Sequence, residues 1–174
     1  TITVSAHLCI QWSTMSGNIE KKVGIINLGC SKNLVDGESI VSEFCEQGYE
    51  LSEQIEECEV ILVNTCGFIE SAKEESINEI LEVCQQKTKG QKVVVTGCLS
   101  QRYEEELKKE IPEVDLFIGN YVPGELIQKL DIAKEELCQT GAFTKRVLLG
   151  EENHHAYLKI SRGCNRTCGF CAIP

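Results

Sequence analysis

Val60-Ile61-Leu62-Val63-Asn64-Thr65-Cys66-Gly67 is the stretch from which the fold can be read. Four apolar residues follow one another without alternation, which describes a strand buried on both faces, here Val60–Asn64. Such a strand needs helices above and below it, and the flanking sequence supplies them. Upstream, Val23–Leu28 is a second run of this kind, closed by Gly29; downstream, Lys92–Thr96 is a third. Between the first two, Asn33 to about Gln47 carries Leu34, Val41, Phe44 and Cys45 on one helical face. Gly48 follows where a helix C-terminus favours glycine. Ile69 to about Gln86 is a long helix with an apolar stripe of Ile69, Ala72, Ile77, Ile80, Leu81 and Cys84. Further on, Ser100 is placed to cap a helix over Gln101–Glu110 that ends before Pro112. Asp115–Ile118 reads as a short strand and Pro123–Leu130 as a helix. The alternation predicts an α/β fold: an open parallel sheet flanked by helices, joined by right-handed crossovers. Asp131–Asn153 is weakly patterned, with a strand expected at Arg146–Leu149 and another at Tyr157–Ser161.

Each of the three main strands ends in the same way. Cys30 follows the first, Cys66 the second and Cys98 the third, about one βα unit apart in sequence. In an open parallel sheet, ligands bind beyond the carboxyl ends of the strands, so three such cysteines can converge. Each has a glycine neighbour, Gly29, Gly67 or Gly97, which permits a tight turn and close backbone approach. The competing reading is that all three are small buried apolar residues, as free cysteines often are. Cys45 and Cys84 fall on helical apolar faces and read as core. Cys9, Cys58 and Cys138 have no such placement.

A second set lies in Gly163-Cys164-Asn165-Arg166-Thr167-Cys168-Gly169-Phe170-Cys171. Three thiolates at CxxxCxxC spacing are soft ligands that can hold iron–sulfur or zinc, and three leave one coordination position open. Structural zinc needs four closed ligands. His154 or His155 could supply a fourth, but the strand expected at Tyr157–Ser161 would carry them away from the loop. A redox-active disulfide is a further alternative.

The chain has 174 residues and a formal net charge of −10. That balance argues against direct nucleic-acid binding by this segment and suits a basic protein partner. Eleven cysteines, an odd number, with no signal-peptide pattern, point to a reduced cytoplasmic compartment with metal-binding thiols. No apolar run reaches membrane-spanning length, so no membrane association is expected. The sole methionine, Met15, reads as the natural start, and a metal loop so close to Pro174 reads as part of a longer enzyme.

These motifs carry a resemblance. CxxxCxxC with Phe170 before the last cysteine, between Ala156-Tyr157-Leu158-Lys159-Ile160-Ser161-Arg162-Gly163 and Ala172-Ile173-Pro174, is similar to the radical S-adenosylmethionine (SAM) methylthiotransferases. Asn27-Leu28-Gly29-Cys30-Ser31-Lys32-Asn33-Leu34-Val35-Asp36, Asn64-Thr65-Cys66-Gly67-Phe68-Ile69-Glu70 and Thr96-Gly97-Cys98-Leu99-Ser100-Gln101-Arg102 resemble the branch acting on an aspartate of ribosomal protein S twelve. The resemblance runs from about Lys22 to Pro174. It implies a leader over 1–21, an N-terminal methylthiotransferase domain over 22–131, a connector over 132–155, and the first strand and cluster loop of a truncated radical SAM barrel over 156–174.

It further implies two 4Fe–4S clusters: an auxiliary one on Cys30, Cys66 and Cys98, and a SAM-binding one on Cys164, Cys168 and Cys171. Phe170 would lie near the adenine of SAM, ordinary loop packing being the alternative. The implied partners are ribosomal protein S twelve as substrate and an electron donor. The implied reaction adds a methylthio group to the β-carbon of an aspartate, with this segment alone inactive. The alternatives are a transfer-RNA adenosine methylthiotransferase and a non-catalytic iron–sulfur carrier or zinc-binding module.

Overall fold

A computed structural model of the protein describes residues 21–132, 147–149, 156–161, 163–166 and 168–169. The leader assigned to 1–21, apart from Lys21, and nearly all of the connector assigned to 132–155 lie outside these residues.

Among the described residues, five strands form one sheet: β1 (Lys22–Asn27), β2 (Glu50–Leu51), β3 (Val60–Thr65), β4 (Lys92–Gly97) and β5 (Leu116–Phe117). All pairings are parallel, in the order β2-β1-β3-β4-β5. Among the described residues, four α-helices connect them or follow: α1 (Ser31–Glu46), α2 (Glu70–Gln86), α3 (Cys98–Glu110) and α4 (Glu125–Lys129). The expected open parallel α/β sheet is what the chain forms.

Period-two geometry, with a covered layer on each face, explains why Val60–Val63 of β3 are all apolar. Val60 and Leu62 join Val23, Ile40, Phe44, Val94, Leu126 and Ile127 on the face covered by α1 and α4. Ile61 and Val63 join Val93, Val95, Ile80, Val83, Leu99 and Leu107 on the face covered by α2 and α3. Phe44 closes the first layer edge-on against Tyr49, with ring centroids 5.2 Å apart. The chain leaves β1 through α1 on one face and leaves β3 through α2 on the other. The carboxyl ends of β1 and β3 therefore flank the topological switch point, where open α/β sheets bind ligands.

Several local expectations are corrected. The face α2 presents to the sheet runs through Ser76, Ile80 and Val83, whereas Ile69 and Leu81 are exposed. Ile69 precedes the helix as its N-cap residue, so it cannot lie on the buried stripe. Ser100 caps nothing: α3 begins at Cys98 directly off β4, and Ser100 is buried inside it. Strand β2 was missed because its two residues, Glu50 and Leu51, carry no apolar pattern. No strand forms over 156–161 or 147–149; Leu158 and Ile160 are 84% and 88% exposed, and among the described residues no strand pairs with them.

Helix α1 is buried on more than its apolar stripe, taking in Asp36, Glu38, Ser42 and Glu43. These polar groups receive bonds from chain far downstream. Glu43 Oε1 accepts from the Tyr121 hydroxyl at 2.6 Å and the Gly124 amide at 2.9 Å. Glu43 Oε2 is buried and finds no partner among the described residues. Burial raises the Glu43 carboxyl above its usual range, against the two bonds from Tyr121 and Gly124. A raised native pKa means stability that is full below the unfolded carboxylate value, about 4.3. It is lost as pH climbs through the folded value. Glu43→Gln is therefore expected to raise the melting temperature at pH 7, with the gain shrinking toward zero near pH 4. Thermal melts of both proteins across that range check this.

Candidate functional site

Three helices start at the carboxyl end of the sheet, and the three upstream cysteines sit at or near their first turns. Cys30 is the N-cap residue of α1, Cys98 is the first residue of α3, and Cys66 lies between β3 and α2. Cys30 is exposed, Cys98 half-buried and Cys66 buried.

Glycines let the three loops touch. Gly29 has φ +91°, and a Cβ there would stand 2.7 Å from Cys66 Cβ and 3.0 Å from Cys66 Sγ. A Cβ on Gly67 would stand 2.9 Å from the Leu99 Cα and 3.0 Å from its amide nitrogen. The Cys30 loop thus lies on Cys66, and the Cys66 loop lies against the start of α3.

An amide network fixes this arrangement. Asn33 Nδ2 donates to the Leu28 carbonyl at 3.0 Å and the Thr65 carbonyl at 2.9 Å. Asn64 Nδ2 donates to Asn27 Oδ1 and to the Asn33 carbonyl, both at 2.7 Å. Thr65 Oγ1 donates to the Thr96 carbonyl, and Thr96 Oγ1 to the Gly119 carbonyl. Ser76 of α2 accepts from the Cys66 amide and donates to its carbonyl, each at 3.0 Å. Every strand end carrying a cysteine is tied to the next.

Lys32 of α1 reaches into the group. Lys32 Nζ is 3.9 Å from Cys98 Sγ, 2.5 Å from Asn120 Oδ1 and 2.9 Å from Asp36 Oδ2. Burial pushes the Cys98 thiol up; Lys32 pulls it down, Cys66 and Cys30 push it up again, and Arg102 pulls it down. Cys98 therefore senses both other thiols. Gathering three thiolates carries a repulsive cost that Lys32 partly offsets. Sequence reading had not singled out Lys32, Asp36, Asn33, Asn64 or Asn120 for a role. The available signal was polar residues, Asn27 and Asn64, closing otherwise apolar strands.

Among the described residues, no three of His, Cys, Asp or Glu form the ligand set of a single metal ion. An iron–sulfur cluster asks for something different, since each thiolate binds its own iron. Three thiols on adjacent strand ends, with strands about 4.8 Å apart, suit that donor set.

In the downstream set, Cys164 and Cys168 are exposed. Gly163 has φ +70° at the entry to the loop, and Cys164 Sγ accepts from the Arg166 amide at 3.4 Å. Cys171, Phe170, His154 and His155 lie outside the described residues. Cys58 packs in the core, its thiol raised mainly by burial and donating to the Gln54 carbonyl at 3.3 Å. Cys84 packs against the same core layer. Cys9 and Cys138 lie outside the described residues. Among the described residues, no helix is long and apolar enough to cross a membrane.

Comparison with known proteins follows this geometry. The chain is 48% identical over 160 residues to a protein of Campylobacter jejuni named ribosomal protein uS12 methylthiotransferase RimO, covering 88% of this chain and 35% of that protein. Proteins of the same name from Parabacteroides distasonis and a Sulfurihydrogenibium species are 49% and 48% identical. These matches cover 89% and 88% of this chain and 36% and 34% of theirs. The chain thus spans about a third of the length of these curated relatives. A profile described as Uncharacterized protein family UPF0004 matches residues 22–119. That interval holds the whole sheet, Cys30, Cys66 and Cys98, and nearly all of the bonds that tie them, and the chain belongs to the UPF0004 family.

Proposed function

We propose that this chain supplies two cluster-binding sites to a radical SAM methylthiotransferase that adds a methylthio group to the β-carbon of an aspartate in ribosomal protein uS12. The observation that supports the reading is the placement of Cys30, Cys66 and Cys98 at the carboxyl ends of three adjacent strands whose loops pack on one another, two of these strands bounding the switch point. The names of the relatives support the substrate, and a net charge of −10 suits a basic protein better than RNA. In this reading residues 22–131 form the N-terminal methylthiotransferase domain. Residues 132–155 connect it to 156–174, which open the radical SAM domain. The protein works in the cytoplasm with a one-electron donor.

Cys30, Cys66 and Cys98 would hold an auxiliary 4Fe–4S cluster, and Cys164, Cys168 and Cys171 the SAM-binding cluster, with Phe170 beside the adenine. When bound, the second cluster supplies the electron that cleaves SAM, and the auxiliary one holds the sulfur to be transferred. The chain's own contribution is placement. The Asn33 and Asn64 amides fix two of the strand ends, Ser76 fixes the Cys66 backbone, and Lys32 offsets thiolate charge beside Cys98. Gly163 allows the turn into the downstream loop.

The test uses the complete natural protein, reconstituted without oxygen and given SAM, a strong reductant and uS12. Formation of methionine and deoxyadenosine, with a methylthio mass gain on uS12, is expected. Cys164→Ala should abolish both. Undiminished SAM cleavage by that variant would contradict the assignment.

A further inference from the structure

Chain from beyond the sheet runs back along α1. The Val147 amide donates to Ser42 Oγ at 2.7 Å, and the Leu149 amide donates to Glu38 Oε1 at 3.1 Å. Lys159 pairs with Asp36 through Oδ1. As the downstream number rises, the α1 number falls, toward Cys30 at the start of the helix. The last of these contacts is made only five residues before Cys164.

Asp36 stands where the two sets of cysteines are linked. Its carboxylate is 5% exposed and meets two lysines, Lys159 through one oxygen and Lys32 through the other. Lys32 in turn reaches Cys98 Sγ and Asn120. One carboxylate thus connects the cation beside the upstream thiols with the segment that leads to the downstream ones. A buried carboxylate with two cations keeps its charge satisfied; its loss leaves two ammonium groups facing each other without a counter-charge.

We infer that Asp36 is a positioning residue that sets the upstream cysteine site and the approach of the Cys164 loop together. This deepens the proposed function and rests on it for its purpose, but not for its geometry. Asp36 acts through Lys32 and Lys159.

Lysine acylation footprinting of the metal-free chain, read by mass spectrometry, tests the joint without requiring any cluster. In the natural chain Lys32 and Lys159 should label slowly relative to exposed Lys21 and Lys108. In Asp36→Asn both should label several-fold faster. Lys87, shielded as closely as Lys159 but paired with Asp115, should keep its rate and so reports any general loosening. Asp36→Glu should restore protection at both positions. Lys32→Met should leave Lys159 protected, since Asp36 remains to hold it. The inference is overturned if either lysine keeps its natural rate in Asp36→Asn, or if Lys159 already labels like Lys21. It is also overturned if Lys87 accelerates along with them. Iron binding is measured separately, so failure of the cluster reading and failure of the joint give different results.

Discussion

Replacing Gly97 with alanine is expected to destabilise the protein by about 2–6 kcal/mol, a large part of the roughly 5–15 kcal/mol that holds a typical domain. Two effects combine there. Gly97 has φ +105°, a region that costs other residues about 1–3 kcal/mol. A Cβ would also collide with the Thr65 carbonyl oxygen and stand 2.8 Å from both the Thr65 amide nitrogen and Asn64 Oδ1. Backbone of the central strand cannot give way cheaply, and overpacking adds about 1–3 kcal/mol. The collision falls on the Asn64 side chain that ties β1, α1 and β3 together, so the cysteine loops should loosen as well. Gly90→Ala separates the two effects. Gly90 has φ +100° with nothing within 4 Å of an added Cβ, so only the backbone term remains, about 1–3 kcal/mol. Urea unfolding of the three proteins measures the difference. Equal destabilisation at both glycines would mean that close approach at Gly97 contributes nothing.

The fold was legible because the three central strands are apolar on both faces. Val60–Val63 has no other stable home than the middle of a covered sheet, and the intervening helical spacing fixed the crossovers. Features that depend on tertiary partners could not be read. Ile69 and Leu81 match a helical stripe in sequence, yet the sheet meets α2 through Ser76, Ile80 and Val83. Strand β2 exists through two backbone pairings with Lys22 and Val23, which no side-chain pattern announces. Asp36, Glu38, Ser42 and Glu43 carry no apolar signal that would mark them as buried. They are buried because Lys159, Leu149, Val147 and Tyr121 come to them from more than seventy residues away.

The candidate site divides in the same way. Position after a strand, repeated three times with a glycine neighbour, was enough to pick out Cys30, Cys66 and Cys98. The residues that hold those strand ends were not distinguishable from ordinary polar loop residues. Asn33 shows why: its side chain bonds the Leu28 and Thr65 carbonyls, the second of which only the folded sheet brings near.

Simultaneous replacement of Cys30, Cys66 and Cys98 by alanine is expected to remove about half of the iron and acid-labile sulfide bound after anaerobic reconstitution. The reason is structural. The three thiols belong to neighbouring strand ends in mutual contact, and although Cys66 is buried beneath the Cys30 loop, none of the three belongs to the apolar layers beside the sheet as Cys58 does. The variant should therefore fold and keep whatever the downstream set binds. Replacing Cys164, Cys168 and Cys171 should remove the other half. The deciding measurement is iron and labile sulfide per chain, taken anaerobically on the natural protein and on each triple variant. Two separable losses, each following its own set of three cysteines, are predicted. Unchanged iron in the Cys30, Cys66 and Cys98 variant, or zinc without labile sulfide in the natural protein, would contradict the account.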